Sequence, residues 1–191
     1  MSSHHFVKEG QEPALLITDP FRAQDIGDLL EWAPLVIALA PALESIASMG
    51  IKADLAFLSE EARGETQQMP SPVIELITPA PFEEALKYLK EHRQRHVNIW
   101  TSDPAAYFSP SEKHIDRLEI SIISQETRWS CIRSGKFHKW LPRSTSVRYR
   151  GRKAPRIVNG DFDTTGIITV QKEGVLEINS TGFFWVGESR K

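Results

Sequence analysis

The sequence predicts an α/β domain followed by an all-β domain: a mostly parallel sheet flanked by helices, then an antiparallel β-sandwich-like domain. Three observations carry this. Continuous apolar runs, the pattern of strands buried on both faces, alternate with helical periodicity from about residue 13 to 103. Beyond about residue 115 the runs become short and alternating, separated by Gly, Pro, Asn and Lys turns. Between them "SDPAAYFSPSEKH" (102–114) has two prolines and no periodicity, so the boundary is placed there, giving domains over 1–110 and 111–191.

Taken in order, "ALLIT" (14–18) is a buried strand, and "RAQDIGDLLEWA" (22–33) sets Ile26, Leu29 and Leu30 on one helical face. "LVIAL" (35–39) is a second strand. "PALESIASMG" reads as a helix, with Pro41 near its start and Gly50 past its end. "ADLAFL" (53–58) and "VIELIT" (73–78) are strands. "PFEEALKYLKEH" (81–92) is a helix burying Phe82, Ala85, Leu86 and Leu89, and "HVNIW" (96–100) closes the series. In the second half, "LEISII", "SVRYR", "GIITVQ", "VLEINS" and "FFWVGE" are strands of an antiparallel sandwich or open barrel, with "QKEGV" (171–175) as a hairpin turn.

Composition narrows the function classes. With 191 residues, 40% apolar and 25% charged, the chain is an ordinary globular one able to build a core. The sequence lacks an apolar window of membrane-spanning length, and "MSSHHFVKEG" lacks a signal-peptide pattern, so a cytoplasmic location is expected. A net charge of −2 gives no general attraction to nucleic acid or membrane. The one cysteine, Cys131, excludes an intrachain disulfide, and its place in the strand-like "RWSCIRSG" argues for packing over chemistry.

The first half also resembles a known family. "LVIALAPALESIASMGIKADLAF" (35–57), with "FEEALKYLKEH" and "VNI", is similar to the N-terminal domain of thiamine pyrophosphokinases over about residues 14–100. The resemblance implies an α/β domain followed by a β-sandwich, transfer of pyrophosphate from ATP to thiamine with Mg²⁺, and a homodimer with active sites between subunits. Carried over residue by residue, the family's charged motifs are missing. The Asp-Gly after its second strand falls on Ala40 and Pro41. Its metal-binding Gly-Asp-Phe-Asp-Ser falls on Leu58, Ser59, Glu60, Glu61 and Ala62. The Asp and Lys of its next helix fall on Pro81 and Glu84, and within its Gly-Gly-Arg-x-Asp-His loop region only Asp103 can substitute.

Pyrophosphoryl transfer depends on metal ions, cations and placed carboxylates that hold and neutralise phosphates. Losing one such contact typically costs about 3 kcal/mol, a hundredfold or more in rate. The expectation is therefore a family-like protein without catalysis that needs no cofactor and keeps either a pocket for a small-molecule ligand, thiamine-like or a nucleotide, or a partner surface. The alternative is a divergent enzyme using ATP and Mg²⁺. No catalytic residue is assigned and no metal site is expected. The pocket candidates are Asp19, Ser59, Glu60, Glu61 and Asp103, expected along the carboxyl edge of the sheet; the competing reading makes Asp19 a turn cap and the glutamates solvated.

Five further features of the sequence bear on function. "VNGDFDTTG" (158–166) matches the family's metal motif in letters but lies about 100 residues too late, so Asp161 and Asp163 are read as turn formers. The basic run "RYRGRKAPR" (148–156) could bind phosphate, but alternation should split its charges between faces and an edge hairpin guarded by cations is preferred. Trp129, Trp140 and Trp185 could stack on a flat heterocycle but are expected in the core; His4 and His5 adjoin the terminus, and the remaining histidines show no ligand spacing. Both faces of "TGFFWVGE" are apolar, which suggests that a second subunit covers Phe184 in a homodimer.

Overall fold

The computed structural model describes residues 12–31 and 35–190, so His4 and His5 and the end of the first expected helix lie outside it. Two compact units are present, meeting in the chain between Ser124 and Gln125.

The first unit opens with β1 (Ala14–Ile17), α1 (Ala23–Leu30) and β2 (Val36–Leu39), followed by a 3-10 turn (Ala40–Ala42) and α2 (Leu43–Ser48). Then come β3 (Leu55–Leu58), two further 3-10 turns (Glu60–Ala62 and Glu65–Gln68), β4 (Ile74–Ile77), α3 (Pro81–Glu91), β5 (His96–Trp100), α4 (Pro104–Glu112) and β6 (Glu119–Ile123). All pairings are parallel, in the order β6-β5-β1-β2-β3-β4. β1, β2 and β3 are buried at every position, which is why they read as unbroken apolar runs. One face of the sheet presents Leu15, Ile17, Ala38, Ala56 and Leu58 to Ile26 and Leu29 of α1 and to Leu43 and Ile46 of α2. α3 packs on β2 and β3, with the Tyr88 ring edge-on to Phe57 at 5.8 Å.

Two expectations are corrected here. "LEISII" is not part of the antiparallel half: Val97 of β5 pairs in parallel with Ile120 of β6, which makes β6 the sixth strand of this sheet. Segment 102–114 is not a linker either, because most of it is α4. Asp103 caps that helix by accepting from the Ala105 N–H at 3.0 Å, and Pro104 occupies its first turn. α4 buries Phe108 and Ser111 but carries Pro110 inside and has no amphipathic stripe, so its sequence gives no periodic signal.

The second unit contains β7 (Thr127–Ile132), β8 (Lys136–Leu141), β9 (Ser146–Gly151), β10 (Arg156–Val158), β11 (Gly160–Phe162), β12 (Ile167–Val170), β13 (Gly174–Asn179) and β14 (Phe184–Ser189). Antiparallel pairing gives one sheet ordered β11-β12-β9-β14-β7 and another ordered β10-β13-β8. Their facing sides share a core of Leu141, Val147, Tyr149, Ile168, Val170, Leu176, Ile178, Phe184 and Val186, the sandwich the alternating pattern predicts.

Details of this unit differ from expectation. β12 pairs with β9 and β11 while β13 pairs with β8 and β10, so "QKEGV" is a crossing between sheets and not a hairpin turn. β9 lies between β12 and β14, so the basic run is not an edge hairpin. Arg148 and Arg150 share the exposed face of β9 while Val147 and Tyr149 fill the core. Phe184 and Trp185 are buried within the chain itself, which removes the argument that a second subunit must cover them. Trp140 is 57% exposed, against the expectation of a core tryptophan.

Candidate functional site

From β1 the chain builds outward to β4, then crosses back to place β5 on the other side of β1. In open α/β sheets, ligands bind outside the carboxyl ends of the strands at such a reversal. The loops leaving β1 and β5 there have related sequences, Thr18-Asp19-Pro20 and Thr101-Ser102-Asp103-Pro104. Asp19, half-buried, clasps them together: its Oδ2 accepts from the Thr101 hydroxyl at 2.6 Å, the Ser102 N–H at 2.9 Å and the Thr18 hydroxyl at 3.2 Å. The buried Thr101 oxygen in turn accepts from the Asp103 N–H at 3.1 Å. Burial pushes the nearby Tyr107 phenol up, opposed by a hydrogen bond with Thr18 and reinforced by the charges of Asp19 and Asp103.

Ser59, Glu60 and Glu61 form a separate group beyond β3, with β2 between them and β1. Ser59 precedes the 3-10 turn and its carbonyl accepts from the Ala62 N–H at 3.1 Å. Glu60 is exposed and accepts two hydrogen bonds of 2.8 Å from the Arg63 guanidinium, which hold its carboxyl below the usual range. A hydrogen bond from the Ser59 side chain lowers Glu61 likewise. The five candidates therefore share one edge of the sheet in two groups and do not converge.

Sequence reasoning missed Glu75 in β4. Its carboxylate accepts from the Thr66 hydroxyl at 2.7 Å and the Gly64 N–H at 3.0 Å, which depresses its pKa and binds the β3–β4 connection to the edge strand. The Thr101 and Ser102 partners of Asp19 were missed as well, although the related Thr-Asp-Pro and Thr-Ser-Asp-Pro stretches were a readable signal.

Beyond the carboxyl ends of β2 and β3 lies an open groove of about 660 Å³. Ala40, Pro41, Leu43, Ala47 and Met69 give it apolar walls, with Glu44, Glu65 and Gln68 as polar groups and no Lys or Arg in its lining. Its chemistry favours a neutral or cationic molecule and opposes a bare polyphosphate. Among the described residues no three His, Cys, Asp or Glu side chains are grouped to hold a metal ion.

Asp163 is a turn former. Its Oδ1 accepts from the Ile167 N–H, the Thr165 hydroxyl and the Thr165 N–H at 2.8, 2.8 and 2.9 Å, which lowers its pKa. Asp161 differs from expectation, being a residue of β11 whose carboxylate accepts from the Gln171 side chain at 2.6 Å.

A parallel sheet whose order reverses beside β1, followed by a two-sheet β-sandwich, defines a two-domain class in which a doubly wound α/β sheet precedes a β domain. Solved structures of this architecture similar to the chain are thiamine pyrophosphokinases. That from Geobacillus thermodenitrificans matches with a TM-score of 0.68 at 12% identity, covering 93% of this chain and 98% of that one. The yeast enzyme gives 0.65 at 7% identity, with 94% and 86% covered. The Bacillus subtilis one gives 0.62 at 12%, with 93% and 99% covered. The chain thus has the thiamine pyrophosphokinase fold, as the sequence resemblance implies. No family model and no curated protein matches the sequence.

Proposed function

We propose that the chain is a thiamine pyrophosphokinase-like protein that has lost the family's metal- and phosphate-binding residues and acts as a non-catalytic small-molecule binder. The observation that carries this is the state of the carboxyl edge. Asp19 and Glu75 are committed to donors of the protein itself, and Glu60 to the Arg63 guanidinium. The neighbouring groove offers apolar walls and two carboxylates but no cation for phosphates. Such a groove suits a thiamine-like cation better than a nucleotide.

Thermal unfolding tests the reading. Thiamine alone should raise the melting temperature, while ATP with Mg²⁺ should neither raise it nor yield thiamine diphosphate with thiamine present. Steady formation of thiamine diphosphate by the purified protein, absent from mock purifications, refutes the proposal. A divergent ATP- and Mg²⁺-dependent enzyme is the second reading, favoured by the exposure of Glu61, the one carboxylate that falls on an aspartate of the family's metal motif.

The homodimer implied by the resemblance belongs to the proposal on new grounds. Trp140, Val158 and Val175 are each about half exposed on the outer face of the β10-β13-β8 sheet, where Trp140 pairs with Val175. A second copy would cover these three side chains, leaving the Arg156–Asn179–Lys136 end of the sheet open. Sedimentation at micromolar concentration should then give twice the 21.6 kDa chain mass, and Trp140→Glu should return it to one.

A further inference from the structure

One row across the small sheet of the second unit places Arg156 of β10, Asn179 of β13 and Lys136 of β8 side by side. Directly opposed residues in antiparallel strands point to the same face, and here it is the outer one, since the adjacent row of Ile157, Ile178 and Phe137 faces the core. Lys153 joins them from the β9–β10 connection. The four residues border an open groove of about 480 Å³ whose lining contains no carboxylate. None of the three cations is in an ion pair among the described residues. The carboxylate on the same face of β13, Glu177, lies in the next outward row, between Val158 and His138.

The groove is held open by contacts that do not use those charges. The buried Tyr149 hydroxyl bonds the Lys153 carbonyl at 2.6 Å and the Ser180 hydroxyl at 3.0 Å, fixing the β9–β10 connection to the β13–β14 turn. The Arg152 guanidinium lies 5.5 Å from the centre of the Phe183 ring, a second link between the same segments. At the floor, the Ser180 N–H donates to the Gly135 carbonyl at 2.9 Å. Gly135 sits at φ +71°, where a Cβ would come within 2.6 Å of the Ser180 oxygen. Backbone therefore meets backbone between the two turns, and the cations are presented on a preformed frame.

We propose that this groove is an anion site for a small molecule carrying a diphosphate. Arg156 and Lys136 are two strands apart, about 10 Å at ordinary strand spacing, with neutral Asn179 between them. That separation matches two phosphate groups better than one, with the Arg156 fork able to take one phosphate bidentately and the lysines adding point charges. The inference is independent of the ligand proposed for the α/β unit, since it concerns other residues and the opposite charge.

Isothermal titration with inorganic diphosphate on the full chain tests it, with inorganic phosphate and a single-stranded oligonucleotide as comparisons. Saturable diphosphate binding is expected, tighter than that of phosphate. Lys153→Ala and Arg156→Ala should each weaken it tenfold or more, whereas Arg143→Ala, an exposed cation outside the groove, should leave it unchanged. Tyr149→Phe should also weaken it without removing a charge, circular dichroism verifying the fold of each variant. No binding, equal loss in Arg143→Ala, or preference for the oligonucleotide would overturn the proposal.

Discussion

Asp19→Ala tests whether the switch-point carboxylate is a structural clasp or a ligand. Of its three accepted hydrogen bonds, the one at 3.2 Å from Thr18 is weak, because the single hydroxyl hydrogen of Thr18 is also directed at the Trp100 carbonyl at 2.9 Å. Two strong bonds remain, from Thr101 at 2.6 Å and Ser102 at 2.9 Å. A hydrogen bond to a charged group contributes about 1.5–3 kcal/mol when protein is the alternative to water. Asp19 is half-buried and Ser102 exposed, so water can replace the Ser102 bond, while the fully buried Thr101 hydroxyl has no such recourse. The expected loss is therefore about 2 kcal/mol, close to one full bond and a fraction of the other. Asp19→Asn, which keeps an acceptor of the same shape, should lose about half as much. Urea unfolding followed by tryptophan fluorescence measures both. If Asp19→Ala unfolds at the midpoint of the unmodified chain while thiamine binding disappears, the clasp is refuted and Asp19 is a ligand residue.

Three other outcomes are expected. Burial, aided by the Lys90 charge, lowers the pKa of His114, whose Nδ1 has no hydrogen-bond partner among the described residues. The unfolded chain then takes up a proton near pH 6.5 that the folded chain refuses, so stability is unaffected well above that pH and falls as the pH drops below it, and His114→Gln should flatten that slope in urea titrations. Gly135→Ala should cost about 2 kcal/mol or more, from its positive φ and the clash with Ser180, read as a lowered melting temperature. Phe184→Ala should cost about 3–5 kcal/mol as a core cavity and leave the sedimenting mass unchanged, since that ring packs against Tyr149 at 5.2 Å inside its own sandwich.

What could be read from the sequence, and what could not, follows from the range of the interactions. β1, β2 and β3 were legible because burial on both faces leaves an unbroken apolar run. α4 was not, because a capping aspartate and two prolines resemble a turn unless the helix they start is known. β8 was overlooked because Lys136, His138 and Trp140 on its outward face hide the alternation of its core side. β6 could not be assigned, since whether a strand pairs in parallel with β5 is decided across the sheet and not within its own six letters. The candidate edge was found from the strand ends, and Asp19 with it. Its hydrogen-bond partner Thr101 lies 82 residues further on, so its role as a clasp was beyond local reading. The turn role of Asp163 was legible for the converse reason, as all its donors lie within four residues.

The passage from β10 to β11 takes one residue. Asn159, at φ +65°, leaves the small sheet, and Gly160 already belongs to the large one, lying so close to Ile168 and Leu176 that a Cβ would come within 2.9 Å of both. The Asn159 side chain also fastens the β12–β13 connection, donating to the Lys172 carbonyl at 2.8 Å and accepting from the Lys172 N–H at 3.0 Å. Two strand crossings are thus riveted at one corner, and neither sheet can peel away without dragging the other. Amide protons on β10 and β11 should consequently exchange with solvent at one shared rate, the sandwich opening as a single hinge-free body instead of sheet by sheet.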